Sequence, residues 1–344
     1  MKPYQKSIFG QLRNEDIFRF TFENDLGYRL SVMNYGATIL EYQTPDKAGH
    51  FANVILGFDR FADYIGNSPK HGASIGPVAG RIAGATFDLA GENYILEANN
   101  EQNCNHSGST GWDSVVFQIE EVTDEGLVLY TERRDGTGGF PGNLKAWISY
   151  TLSEQGELEI SYQVQTDKDT LINPTNHSYF NLSGHFDQPV DDHVFQVDSL
   201  GVFPIAKDGI PAKEPEEREF VKHLRQAMLL KDLFAEQDEQ VQLVSGLDHP
   251  FALKPDHETA GFLYHQESGR FLTFKTEAPC LVVYTANCVD DAILFNGKTM
   301  KQHNGIALEM QALPDAIHSN YKDQVLVRAG QEFTSTTTYR VIAK

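Results

Sequence analysis

The chain has 344 residues, 40% of them apolar and 11% aromatic, with a formal net charge of -20. That composition supplies a large core and excludes a disordered chain. The negative field disfavours phosphate backbones and anionic membrane surfaces as partners, so a neutral ligand, with no nucleic acid and no membrane, is expected.

Period-two alternation runs from end to end. Residues 18–23 (FRFTFE), 117–120 (FQIE) and 158–165 (LEISYQVQ) alternate apolar and polar side chains, as half-buried strands do, and 333–341 is rich in β-branched Thr. Turn signals at 124–126 (DEG), 154–156 (EQG) and 329–330 (AG) separate strands at hairpin intervals. Helical spacing is confined to 221–233 and a short turn at 61–65, while the charged, Pro-containing stretch 207–218 reads as a long surface loop. The βαβ alternation of a parallel sheet is missing. The expectation is all-β: a large antiparallel β-sandwich with few short helices. All-β architectures often exceed 200 residues as one unit, so a single domain over residues 1–344 is expected.

Five segments depart from strand patterning, and such departures often mark sites. In 76–82 (GPVAGRI), small residues and Pro present Arg81, whose planar donor fork suits sugar hydroxyls; a surface arginine after a turn is the other reading. In 103–109 (NCNHSGS), His106 sits among amides and hydroxyls, which reads as a binding loop. In 173–182 (NPTNHSYFNL), His177 lies among amides, hydroxyls and two aromatics, a mixture suited to a sugar cleft. An imidazole there can hand a proton to a weakly basic oxygen, or act as a satisfied structural donor. In 246–251 (GLDHPF), Asp248 can accept two hydroxyl hydrogen bonds or cap a turn before Pro. In 305–314 (GIALEMQALP), Glu309 interrupts an apolar run. Burial would raise its pKa into the range of a general base near neutrality; facing outward, it would be an ordinary solvated or salt-bridged Glu.

Other chemistries lack their motifs. Among 12 histidines there is no HxH or HExxH spacing, so no metal is expected, and without GxSxG or GxxxxGK[ST] neither a hydrolase elbow nor a nucleotide cradle is indicated. No cofactor is expected. The glycine-dense 135–142 (DGTGGFPG) reads as a cleft-edge loop. A glycosidase using Asp248 and Glu309 as paired carboxylates stays open. The cysteines Cys104, Cys280 and Cys288 are odd in number and lack CxxC spacing, and no apolar stretch follows Met1 or approaches the ~18 residues of a membrane span. A cytoplasmic location is the expectation.

Taken together and in this order, with 34–37 (NYGA) and 56–58 (LGF), these segments resemble the aldose 1-epimerases, the galactose mutarotases, over nearly the whole chain. The resemblance implies a galactose mutarotase-like β-supersandwich with an open cleft on one sheet. It also implies a cofactor-independent isomerase in which Glu309 takes the proton of the anomeric hydroxyl and His177 protonates the ring oxygen. The ring then opens, C1–C2 rotates, and reclosure gives the other anomer. Arg81, His106 and Asp248 are similar to the family's hydroxyl-binding residues. Two departures bear on which sugar is used. The loop reads Asn105-His106-Ser107-Gly108 where the pattern is closer to Leu-His-Gly-Gly, and 279–284 (PCLVVY) is apolar where some members place a Gln. The expected partner is a small-molecule sugar such as galactose or glucose, or a disaccharide such as maltose, bound by a monomer or homodimer. A catalytically silent sugar-binding protein and a hexose 6-phosphate epimerase are the alternatives; the second would need basic residues beyond Arg81.

Overall fold

In the Leu158–Thr166 strand, Leu158, Ile160, Tyr162, Val164 and Thr166 are buried and the residues between them face outward, so the alternation of the sequence becomes the two faces of a sheet. The computed structural model describes residues 1–255, 258–288 and 292–344. Its largest sheet has nine antiparallel strands in the order Gln118–Val122, Gly126–Arg133, Leu144–Leu152, Leu158–Thr166, Glu332–Ala343, Arg270–Thr276, Gly261–His265, His193–Val197, Met228–Leu229. Two five-stranded sheets pack against it. One is an N-terminal meander from Gln5–Leu12 to Phe51–Asn53. The other, the floor sheet, has the order Tyr179–Phe180, Ile306–Gln311, Cys280–Tyr284, Asp248–Leu253, Ser199–Val202. A bridge between Ile55 and Phe180 joins these two edge to edge, with the Leu56 N–H donating to the Tyr179 carbonyl at 2.9 Å.

The core lies between the layers. Phe20 and Phe22 of the meander, Ile148, Ile160 and Val341 of the large sheet, and Leu281, Val283 and Leu308 of the floor sheet belong to one buried cluster. At roughly 1.5–3 kcal/mol per buried side chain, this interlayer packing outweighs anything the short helices contribute. Tyrosine hydroxyls satisfy backbone carbonyls across the gap: Tyr28 donates to Val341 at 3.1 Å and Tyr339 to Leu308 at 2.9 Å.

The Ile306–Gln311 strand is buried along its whole length because both faces are covered. Ile306, Leu308 and Met310 point into the core, which leaves Ala307, Glu309 and Gln311 on the opposite, cleft-facing side. This two-sided burial is why the strand reads as an apolar run broken by one carboxylate.

The helical expectation at 221–233 is corrected. Two helices, Glu219–Arg225 and Leu230–Phe234, flank a break at Ala227, whose φ is +73°, and Met228 and Leu229 pair with Phe195 and Val194 at the edge of the large sheet. A third helix, Glu239–Val244, is capped by Asp238, whose side chain accepts the Gln240 N–H at 2.8 Å. The turn at 61–65 is a 3-10 helix, Phe61–Tyr64, and stretch 207–218 is a loop tied down by bridges from Val202 to Glu216 and Ile205 to Pro211. Among the described residues no helix is long and apolar enough to cross a membrane.

Candidate active site

Register on the floor sheet sets two transverse rows of side chains on its outer face, because directly opposed residues of paired strands point the same way. Tyr179 faces Ala307, Ala307 faces Tyr284, and Tyr284 faces Asp248. Two residues along, Glu309 faces Val282, which faces Pro250. Above these rows lies a cleft of about 560 Å³, within the roughly 300–1,000 Å³ usual for small-molecule sites. Arg81, His106, His177, Asp248 and Glu309, singled out from five separate stretches of sequence, all line it.

Arg81 and His106 arrive on one ribbon. Cys104 pairs with Ile82 and Asn105 with Arg81, while Ser107 Oγ donates to the Val78 carbonyl and accepts the Val78 N–H, both at 2.9 Å. His106 and Ser107 hold positive φ, +51° and +64°, which turns the loop back over the cleft. His106 Nδ1 accepts the Gly80 N–H at 3.2 Å, so Nε2 carries the ring proton and is a fixed donor. Arg81 Nε donates to Asn100 Oδ1 at 3.0 Å, holding the guanidinium in place.

His177 is held by its backbone. Its N–H donates to the Ala73 carbonyl at 2.8 Å, and its carbonyl accepts the Gly72 N–H at 3.0 Å. The amides and hydroxyls around it serve the fold: Asn176 donates to the Gly72 carbonyl and accepts both the N–H and hydroxyl of Ser178, and Asn173 exchanges two hydrogen bonds with the Ala312 backbone. Within residues 173–182, His177 and Tyr179 are the ones that reach the cleft.

The decisive geometry is between two elements. His177 Nε2 lies 3.4 Å from Glu309 Oε1, and both side chains are almost entirely buried. Burial, reinforced by the negative charge of Asp248 and opposed by Arg81, pushes the Glu309 carboxyl up to about 8. Burial, with a smaller contribution from the Lys70 charge, pushes His177 down to about 4. Between those values the pair holds one proton, and burial places it on Glu309, since the neutral pair avoids two buried charges. Burial also raises Asp248, again opposed by Arg81, and keeps His106 neutral.

Several lining residues carried no sequence signal that singled them out. Lys70 lines the cleft beside Arg81, which revises the expectation that Arg81 would be the only base there; it is ion-paired with Asp113 at 2.5 Å. Tyr284 and Gln311 line it too, and Gln311 was detectable in principle as the polar residue two positions after Glu309 on a period-two strand. The glycine-dense loop 135–142 is not at the cleft edge: Gly138 packs on Thr110 and Arg133, and Gly139 against the Ile95 carbonyl. Asp192, His193 and His265 cluster elsewhere, with Asp192 taking a 3.0 Å contact from each ring. His193 Nε2 accepts the Leu182 N–H and His265 Nδ1 accepts the Ser268 N–H, so the nitrogens facing Asp192 are protonated donors and this is a carboxylate clamp, not a ligand set for a metal.

Comparison with known proteins agrees with this architecture. The model of the aldose 1-epimerase family matches residues 19–340. The chain belongs to the aldose 1-epimerase family. It is 34% identical over 347 residues to galactose mutarotase of Homo sapiens, covering 99% of each chain. It is 30% identical to maltose epimerase of Levilactobacillus brevis, covering 98% of this chain and 99% of that one. The solved structure of galactose 1-epimerase from Lactobacillus acidophilus superposes with a TM-score of 0.87 at 28% identity, covering 99% of this chain and 98% of that one. An aldose 1-epimerase is an isomerase, and its fold here is the antiparallel β-sandwich expected from the alternation.

Proposed function

We propose that this aldose 1-epimerase interconverts the α and β anomers of a free aldose with Glu309 and His177 as its proton-transfer pair, and with Arg81, His106 and Asp248 holding sugar hydroxyls. The supporting observation is the 3.4 Å separation of two buried titratable groups on the cleft floor. Mutarotation moves one proton from the anomeric oxygen O1 to the ring oxygen O5, and both oxygens are bonded to C1. Groups serving them must therefore be close neighbours, as Glu309 and His177 are, whereas glycosidase carboxylates stand about 5–9.5 Å apart.

Facing a closed ring, ionised Glu309 takes the O1 proton while the His177 imidazolium protonates O5. The C1–O5 bond breaks and C1 becomes an aldehyde. That step leaves protonated Glu309 opposite neutral His177, the form that burial favours, and reclosure after rotation about C1–C2 returns the protons by the reverse route. The pair thus alternates between two tautomers of one proton inventory, with no net uptake or release. Each such group typically contributes ~10²–10⁴-fold.

A disaccharide with a free reducing end is the second reading, supported by a cleft flank of Leu243, Val244 and Met300 that would border a second ring. A 6-phosphate is disfavoured, because of the two cationic residues at the cleft Lys70 is already neutralised by Asp113. Polarimetry on fresh α-D-galactose, α-D-glucose and β-maltose tests the reading. The expected result is faster relaxation to an unchanged final rotation for at least one sugar, with the order of rates ranking the substrates; relaxation no faster than buffer for all three would remove it.

A further inference from the structure

One polar group on the cleft face of the floor sheet is left unexplained by proton transfer. Gln311 is 3% exposed, lines the cleft, and its side-chain Oε1 has no hydrogen-bond partner among the described residues. Buried amide oxygens are almost always satisfied, and one that is not calls for an explanation. Position supplies it. Gln311 follows Glu309 by two residues on the same face of the strand, so its side chain lines the cleft floor, and a turn about its soft terminal torsion brings the enclosed Oε1 to the surface that a sugar covers. Across the floor from Glu309 stand Val282 and Pro250, whose side chains offer no hydrogen bond. Three residues beyond Gln311, Pro314 packs against Gly80, where an added Cβ would lie 2.7 Å from the ring. That contact brings the loop carrying Arg81 down over the end of the strand carrying Gln311. A donor fork and a bare acceptor therefore share one end of the cleft, and a hydroxyl is the group that serves both, accepting from one and donating to the other.

Building on the mutarotase reading above, we infer that Gln311 is a specificity-determining residue: its side-chain carbonyl accepts the hydrogen of one non-anomeric hydroxyl of the bound aldose. The contact is present whether the ring is closed or open, so it supports binding rather than the chemical step. Asn105 Oδ1 is also without a partner at the cleft, but it sits on the less buried ribbon, whereas Gln311 is fixed on the sheet that carries Glu309.

The test is steady-state mutarotation with wild type and Gln311→Met, which keeps the side-chain length and removes the carbonyl. The substrates are the parent sugar that wild type turns over fastest and its 2-, 3-, 4- and 6-deoxy analogues. The expected result is a KM about tenfold higher for the parent sugar, with kcat changed less than about threefold. For one deoxy analogue the ratio of wild-type to variant kcat/KM should fall to about one, which identifies the hydroxyl read. An unchanged KM, or an equal loss on every analogue as mere cleft distortion would give, overturns the inference. Should Gln311→Met fail to fold, Gln311→Asn withdraws the same carbonyl by one methylene and carries the same comparison. Failure of the mutarotase reading is separate and visible in the same data, since wild type would then accelerate no sugar.

Discussion

Glu309 shows how far one residue can be read from sequence. A carboxylate in an otherwise apolar strand is costly unless its environment uses it, and the structure places it against His177 with its carboxyl raised to about 8. The pair holds two protons below about pH 4 and none above about pH 8, so kcat/KM should form a bell with limbs near those values. Initial rates from pH 3.5 to 9 check this; a profile flat through pH 8 would contradict it. Gln311 escaped detection because the period-two spacing that puts it on the same face as Glu309 does not show that its amide oxygen lacks a partner. The amides of 173–182 misled in the other direction, since Asn173 and Asn176 are occupied by backbone.

At the scale of elements, alternation revealed strands wherever one face meets solvent, as in Leu158–Thr166, but not pairing order or register, which depend on contacts distant in sequence. The helical stretch at 221–233 is helical at both ends but broken in the middle, because local spacing does not report that Met228 and Leu229 add a strand to an edge. Two connections hold the Glu309 strand and the rim in place, and each gives a prediction. Asn173→Ala would leave the buried Ala312 N–H unpaired just past the Ile306–Gln311 strand, lowering unfolding free energy by about 1–3 kcal/mol in urea titration. Gly76→Ala would drive a methyl to 2.1 Å from the Trp112 indole, costing about 1–3 kcal/mol as the core repacks, even though Gly76 does not touch the cleft. A wild-type denaturation midpoint for either variant would show that these contacts do not set the loop positions.

For the whole molecule, the charge that disfavours anionic partners coexists with a cleft whose ionisable groups are largely neutralised by burial. His71, pushed by burial to about 3, and His177 and His249, pushed to about 4, stay neutral in the fold while the unfolded chain would protonate them below about 6.5. The unfolded state then binds more protons, so stability falls as pH drops from about 6.5 toward 4. Glu309, holding a proton in the fold between its ordinary 4.5 and about 8, acts oppositely, as do Asp248 and His318, whose pKa values are also raised, but His106, His193 and His303 are lowered as well, so the lowered histidines outnumber them. Thermal melts should therefore show a lower Tm at pH 4.5 than at pH 6.5; an unchanged or higher Tm would contradict this balance.

The central claim is that the buried Glu309–His177 pair carries proton transfer, and polarimetry of Glu309→Gln beside wild type on the preferred sugar tests it most directly. The account predicts that the variant, folded by circular dichroism, loses ~10²–10⁴-fold in kcat/KM while wild type accelerates relaxation to the same final rotation. A folded Glu309→Gln protein that relaxes the sugar at the wild-type rate would contradict it.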